Sequence, residues 1–169
     1  FAGTATDGTS TNSSGVAKVQ YSIDGTTWTD AIGTTQWNAN IDFAKVETNN
    51  ATVQFKALDN AGNESTKQSV NIILDKNVPV LENLGVQGAT ADTDGIFYLQ
   101  SNSVKIIGQI TEEYLESITI DGTKVTPDAN GNFSGTKSIN EGSNTCKIVA
   151  TDKAGQITEK TISLYYDKT

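Results

Sequence analysis

Two stretches of nearly the same sequence recur in this chain, and their spacing is the strongest constraint on its fold. ALDNAGNES begins at Ala57 and ATDKAGQIT begins at Ala150, so the two stretches lie 93 positions apart. Val53 and Cys146 share this offset, which extends the correspondence into the residues before each stretch. A unit repeated at this spacing predicts two copies of one structural module within the 169 residues.

Apolar and polar residues alternate over much of the chain. A run in which every second residue is apolar indicates a β-strand with one buried face and one solvated face. No window carries the apolar spacing of an amphipathic helix over enough residues to predict one. The alternating runs span residues 19–23, 37–43, 53–57 and 70–74 in the first half, and residues 104–110, 118–120, 146–150 and 162–166 in the second half.

Turn signals separate these runs. Asp24-Gly25 and Asp121-Gly122 follow corresponding strands, and Asn130-Gly131 predicts a β-hairpin. Residues 75–79, DKNVP, form a short linker with Pro at the entrance to the second repeat. We therefore predict two domains, residues 1–77 and residues 78–169.

The composition excludes several kinds of function. A net charge of −8, with the basic residues dispersed among the acids, argues against a nucleic-acid partner. The chain has no His, which excludes a Ser-His-Asp triad and a His-bearing zinc site, and we predict that it is not an enzyme. No apolar stretch approaches the roughly 20 residues that span a bilayer, so no membrane insertion is expected. Cys146, the only Cys, occupies a core strand position and is predicted to be a small buried hydrophobic residue.

Several motifs resemble a known class of domain. GTATDGTS, GVAKVQYSIDGTTW and VQFKALDNAGNES in the first half resemble bacterial Ig-like domains, which occur in tandem in secreted and cell-surface proteins. The second half, with IDGTKVTPDANGNFSG and INEGSNTCKIVATDKAG, is similar to the Ig-like type found beside carbohydrate-active enzymes. The resemblance implies an all-β fold of two tandem Ig-like β-sandwich domains and an extracellular location, secreted or on the cell surface.

The resemblance leaves several functions open. It implies a non-catalytic structural or adhesive module, a spacer or stalk, within a larger bacterial protein. One alternative is an accessory module of a carbohydrate-active enzyme, and another is a strand-exchanging subunit of a surface fibre or S-layer. The expected partners are neighbouring Ig-like domains of the same parent chain and a host or cell-wall glycan or protein.

The first domain departs from the pattern of the second at its start. Aligning Gly3 with Gly108 places Phe1 opposite Ile106, inside the second strand of the sandwich. The first domain is therefore expected to lack a first strand, because of truncation or because another chain supplies that strand. A sandwich without this strand exposes a sheet edge on which another strand can add.

The topology of an Ig-like sandwich also predicts a candidate metal site. The first strand begins at the end of the sandwich that carries the loops after the second and sixth strands, so the linker should lie near TEEYLE and DKAGQ. Calcium binds six to eight oxygen ligands, and this end gathers enough acids to provide several. The candidate calcium ligands are Asp75, Asn77, Glu112, Glu113 and Asp152. The competing interpretation is that Asp59 and Asp152 cap their own turns while the glutamates face water.

Three further expectations depend on alignment or residue type. Asp7 matches Glu112 and Asp59 matches Asp152, so an upstream junction could repeat the calcium site. Trp28, which follows the Asp24-Gly25 turn, is a candidate for stacking on a glycan, with packing against the sandwich as the alternative. Some surface Ig-like domains carry Lys–Asn isopeptide bonds, which would lower the intact mass of this chain.

Overall fold

The protein is all-β. The computed structural model describes residues 1–8, 12–46 and 48–169, in which the chain forms fifteen β-strands. It divides into two compact units, Phe1–Asp75 and Lys76–Thr169. The predicted all-β fold with Ig-like sandwich architecture is confirmed.

The first unit contains seven strands in two sheets. One sheet has the order β1-β5-β4 and the other has the order β3-β2-β6-β7. The strand β6 is central and buries Ala51, Val53 and Phe55, which alternate along it as the sequence predicts. The strands are β1 (Ala2–Thr4), β2 (Val16–Ser22), β3 (Thr29–Asp30), β4 (Ile32–Gly33), β5 (Gln36–Asn38), β6 (Asn50–Asp59) and β7 (Gln68–Ile73).

The second unit contains eight strands in two sheets. Their orders are β13-β10-β8 and β12-β11-β14-β15-β9, and all pairs are antiparallel except β9 with β15. The inner residues form one core that includes Ile106, Ile118, Ile148 and Leu164. The strands are β8 (Val80–Val86), β9 (Ile96–Leu99), β10 (Ser103–Thr111), β11 (Leu115–Ile120), β12 (Thr123–Val125), β13 (Asn132–Ser138), β14 (Gly142–Asp152) and β15 (Ile157–Tyr166).

The pairing registers show which strands correspond in the two units. Gly3 of β1 pairs with Trp37, as Gly108 of β10 pairs with Phe133. A Cβ at either glycine would collide with the aromatic ring of its partner, so both positions need Gly for the same reason. In each unit the strand after the repeated turn returns antiparallel to the strand before it, β7 on β6 and β15 on β14.

One predicted strand of the first unit is much shorter than the sequence pattern suggests. The run 37–43 was expected to be one strand, but β5 ends at Asn38. Ala39 is buried and accepts a hydrogen bond from the N-terminal amine of Phe1, after which the chain leaves the sheet. Beyond this point Phe43 lies in an irregular segment, half-buried and with its ring centroid 6.5 Å from that of Phe1, and alternation alone does not distinguish this case from a strand.

The predicted hairpin at Asn130-Gly131 is also wrong. Gly131 lies in a turn, with φ of 79° and an N–H that donates to Asp128. The strands on either side, β12 and β13, belong to different sheets, so the turn carries the chain across the sandwich. Asp121-Gly122, in contrast, closes the two-residue hairpin between β11 and β12, and both residues have positive φ as such a turn requires.

Cys146 has the environment that the sequence predicts. Its side chain is fully buried in the core of the second unit. Burial and the neighbouring Asp121 raise the pKa of the thiol to about 11, so the thiolate that would act as a nucleophile is disfavoured at neutral pH. Cys146 therefore contributes to packing rather than to chemistry.

Within the described residues, no helix has the length and apolar character required to cross a membrane.

Candidate functional site

Asp152 is the most unusual acidic residue of the second unit. It is the last residue of β14, and only 1% of its surface is exposed. One carboxylate oxygen, Oδ1, accepts a hydrogen bond of 2.8 Å from the backbone N–H of Gln156. The other oxygen, Oδ2, is buried and has no hydrogen-bond partner among the described residues. A buried carboxylate oxygen without a donor carries a desolvation cost.

Two further carboxylates lie beside Asp152. Glu112 directly follows β10, is half-buried, and accepts a hydrogen bond of 2.9 Å from the backbone N–H of Tyr114. Asp75 is the residue that directly precedes the second unit. One oxygen from each of Asp75, Glu112 and Asp152 lies within 4.8 Å of the others.

The spacing of these oxygens suits a single cation. Calcium binds oxygen at 2.3–2.6 Å, so two oxygens in the same coordination shell are separated by at most about 5 Å. Three ionised carboxylates at this spacing repel one another unless a cation or protons neutralise them. The cluster is therefore a candidate cation site built from oxygen ligands only.

The other two predicted ligands, Glu113 and Asn77, are exposed. Glu113 does not belong to the group of close carboxylate oxygens. The backbone carbonyl of Asn77 instead accepts a hydrogen bond of 2.6 Å from Nε2 of Gln156. Gln156 thus contacts both Asp152 and Asn77, a positioning role that sequence reasoning missed because an amide in a turn carries no distinctive signal.

The corresponding acids of the first unit have different surroundings. Oδ2 of Asp7 accepts hydrogen bonds from the backbone N–H of Gly15 at 2.7 Å and from the hydroxyl of Ser14 at 3.3 Å. Asp59 accepts from Asn63 with both oxygens, one bond from the backbone and one from the side-chain amide. These bonds, that of the Asn63 side chain first, lower the pKa of Asp59. Neutral donors therefore reach both carboxylates, and Asp59 caps its own turn.

Trp28 is flanked by two lysines. Its ring is half-buried, and the Nζ atoms of Lys56 and Lys67 lie 4.5 Å and 5.0 Å from its centroid. Lys56 also forms an ion pair of 2.6 Å with Glu64. Cation–π contacts of this kind stabilise the ring position. Both lysines would have to move if a sugar were to stack on the faces that they cover.

The second unit matches a known domain family. Residues 89–167 match the family model described as Glucodextranase, domain B. The second unit resembles that domain. The match agrees with the sequence motifs that are similar to Ig-like domains associated with carbohydrate-active enzymes. A sequence comparison with curated proteins finds no match.

Several solved structures are similar to the whole chain. The fibronectin(III)-like modules of Clostridium thermocellum CbhA are 13% identical, with a TM-score of 0.48, over 94% of this chain and 82% of theirs. A tetra-tandem repeat in the extending region of a large adhesion protein is 20% identical, with a TM-score of 0.42, over 99% of this chain and 45% of that structure. A 1.5-MDa bacterial ice-binding adhesin is 18% identical, with a TM-score of 0.37, and 89% of this chain covers 53% of that structure. Structural similarity at these identities and TM-scores gives no information about a ligand of this chain.

Proposed function

We propose that this chain is a non-catalytic structural module of a secreted or cell-surface protein, and that its second unit binds calcium. The observation that carries the calcium proposal is Asp152, whose buried Oδ2 lies without a donor beside the carboxylates of Glu112 and Asp75. The structural role is supported by the match of residues 89–167 to glucodextranase domain B and by the β-sandwich architecture of both units.

The chemistry of the donors selects calcium among the common metal ions. The cluster offers carboxylate oxygens, which hard cations prefer, whereas zinc and other transition metals favour His and Cys. The chain has no His, and its single Cys is buried in the core. Magnesium requires near-ideal octahedral geometry and keeps most of its waters, while calcium accepts irregular sets of six to eight oxygens. Asp75, Glu112 and Asp152 would supply three of those ligands, and water would complete the shell.

A bound cation would stabilise the second unit through charge. It would remove the repulsion among three carboxylates and give the buried Oδ2 of Asp152 a partner. Because the unfolded chain does not hold these three groups together, binding would favour the folded state. Calcium in this position would thus serve stability rather than catalysis.

Isothermal titration calorimetry tests this proposal on the 169-residue chain. After removal of metal with EGTA and dialysis, we expect one calcium ion to bind per chain. Asp152→Asn keeps an oxygen for the bond from Gln156 but removes the charge, and it is expected to weaken binding by about tenfold or more. Glu112→Gln provides a second variant if Asp152→Asn does not fold.

Glu113→Gln is the matched control for these variants. It removes one negative charge next to the cluster without removing a member of it, so its calcium affinity should stay close to that of the unchanged chain. No heat of binding at millimolar calcium would contradict the proposal. Equal weakening by Glu113→Gln would also contradict it, because calcium would then respond only to the general negative charge.

A second candidate is an accessory module of a carbohydrate-active enzyme. The family match of the second unit favours it, since the matching domain is named for glucodextranase. The two candidates differ in the parent protein: an accessory module lies in the same polypeptide as a glycosidase domain, whereas a spacer of a surface protein lies among further Ig-like or anchoring domains. Sequencing the parent gene distinguishes them.

A further inference from the structure

A polar basin lies on the outer face of the three-stranded sheet of the second unit. Along β10, Val104 and Ile106 are buried in the core, and the residues that alternate with them face the basin. Parts of β8 and β13 and the segment before β13 complete it. Its volume of about 590 Å³ lies within the range of about 300–1,000 Å³ that is typical of small-molecule sites. The residues that line it include Asn83, Lys105, Ile107, Gln109, Asp128 and Asn132.

Hydrogen bonds hold the side-chain amides of the basin in place. Nδ2 of Asn83 donates to Oε1 of Gln109 at 3.0 Å, and Nε2 of Gln109 donates to the backbone carbonyl of Asn130 at 3.1 Å. On the β13 side, Nδ2 of Asn132 donates to the two carboxylate oxygens of Asp128 at 3.3 Å and 3.1 Å. An amide has two donor hydrogens and an acceptor oxygen, so these groups keep capacity for further hydrogen bonds. The basin therefore offers donors and acceptors in fixed positions, which lowers the entropic cost of binding.

Asn83 reaches the basin from an irregular point of β8. Ile107 of β10 pairs with Gly85 and Gln109 pairs with Glu82, so β8 carries one more residue than β10 between these pairs. Asn83 lies in this bulge with φ of 52°, a left-handed conformation that Gly adopts at lower cost. Bulges re-aim side chains next to binding and active sites. Here the bulge brings the Asn83 amide to Gln109, at the edge of the basin.

The charges of the lining balance. Among the described residues that line the basin, Lys105 and Asp128 are the two that ionise, whereas the whole chain carries a net charge of −8. Hydrogen bonds from Asn132, that of its side chain first, lower the pKa of Asp128, so this carboxylate is ionised at neutral pH and only accepts. Ile107 is half-buried and adds an apolar surface between these polar groups.

We propose that this basin binds a neutral glycan. A sugar ring presents hydroxyl groups that both donate and accept around its edge, and C–H groups on its faces. One ring lies with an apolar face on Ile107. Its hydroxyls form hydrogen bonds with the amides of Asn83 and Asn132 and with the carboxylate of Asp128.

Other classes of ligand fit the basin less well. A polyanion meets a chain of net charge −8, which repels it. An extended peptide adds to a strand edge through its backbone, whereas this basin lies on the face of a sheet. A wholly apolar ligand would remove water from the amides without replacing its hydrogen bonds. The proposal is independent of calcium binding, because Asp75, Glu112 and Asp152 do not line the basin.

NMR titration of the ¹⁵N-labelled 169-residue chain tests the proposal. The probes are neutral oligosaccharides of glucose, mannose, xylose, galactose and N-acetylglucosamine, each added to millimolar concentration. We expect at least one of them to shift the side-chain amide signals of Asn83, Gln109 and Asn132 in a saturable way. Oligogalacturonate, an anionic oligosaccharide, is the control probe and should leave these signals in place.

Two variants locate the binding. Asn83→Gly removes the amide while Gly adopts the positive φ readily, so the chain should fold as before and bind the sugar about tenfold more weakly. Asp128→Asn keeps an oxygen for the turn but removes the charge, and a similar loss is expected. Glu82→Ala is the matched control, because Glu82 precedes Asn83 and is exposed outside the lining. It should leave binding unchanged.

Three results would overturn the proposal. If none of the neutral oligosaccharides shifts the three amide signals, the basin is not a glycan site. Larger shifts with oligogalacturonate than with every neutral probe would show that the ligand class is wrong. Unchanged affinity in both Asn83→Gly and Asp128→Asn would place the sugar elsewhere on the chain, for example at Trp28.

Discussion

Ile148→Ala is expected to lower the free energy of unfolding of the second unit by about 2–5 kcal/mol. Ile148 is fully buried in the middle of β14, between Ile120 of β11 and Lys160 of β15 in the pairing register. Truncation to Ala removes apolar contacts and leaves a cavity in the core, which the surrounding strands fill only in part. The sequence has one Cys and therefore no internal disulfide to limit the loss.

Urea unfolding followed by two signals measures this effect separately for each unit. Both tryptophans, Trp28 and Trp37, lie in the first unit, so Trp fluorescence follows that unit while circular dichroism follows both. We expect Ile148→Ala to shift the circular dichroism transition and leave the fluorescence transition in place. Ile157→Ala, at a side chain that is 59% exposed, is the control and should change stability by no more than about 0.5 kcal/mol. A loss of similar size in both variants would contradict the assignment of Ile148 to the core.

Gly131→Ala is expected to destabilise the second unit by about 3 kcal/mol or more, through two effects that act together. Gly131 has φ of 79°, a left-handed conformation that a residue with a Cβ adopts at a cost. The added Cβ would also overlap the backbone carbonyl of Ile110, which cannot rotate away as a side chain can. Movement of this segment would disturb the hydrogen bond of 2.9 Å from Ile110 N–H to the Gly131 carbonyl.

Gly88→Ala isolates the conformational part of this effect. Gly88 has φ of 78°, nearly the value at Gly131, but a Cβ there would meet no atom within 4 Å. The expected cost is about 1–2 kcal/mol, from the left-handed backbone alone. Urea denaturation of both variants gives the difference. Equal losses would show that the backbone near Ile110 moves freely and that the collision carries no cost.

Four of the eight strands of the second unit, β10, β11, β14 and β15, were predictable from sequence, because core and solvent residues alternate along them. The alternating run 104–110 lies within β10, and the run 146–150 lies within β14. The first unit follows the pattern less well. Its run 37–43 shares only Trp37 and Asn38 with a strand, β5, because the residues after Asn38 lie in an irregular segment. The alternation of apolar and polar residues indicates which residues face the core. It does not indicate whether their backbone is hydrogen-bonded to a neighbouring strand.

The candidate metal site was likewise predictable from sequence only in part. Ig-like topology predicts the proximity of Asp75, Glu112 and Asp152. In this topology the first strand begins at the end of the sandwich that carries the loops after the second and sixth strands. The burial of Asp152 and the lack of a donor for its Oδ2 were not predictable, because Asp59 occupies the same position in the repeated motif. The two aspartates differ in the side-chain amide that follows them. The side-chain amide of Asn63 donates to Asp59, whereas that of Gln156 donates to the backbone carbonyl of Asn77 and not to Asp152. The role of these carboxylates as calcium ligands stays a prediction.

The most direct test of a calcium-binding second unit is the thermal unfolding of the 169-residue chain in EGTA and in millimolar calcium. At a calcium concentration a hundredfold above the dissociation constant, binding adds about 2.7 kcal/mol, which corresponds to a rise in Tm of about 11–22 °C for a domain of this size. The rise should occur in the circular dichroism transition, be absent from the Trp fluorescence of the first unit, and disappear in Asp152→Asn. Unchanged melting of the second unit, or a rise that Asp152→Asn retains, would contradict calcium binding at Asp152.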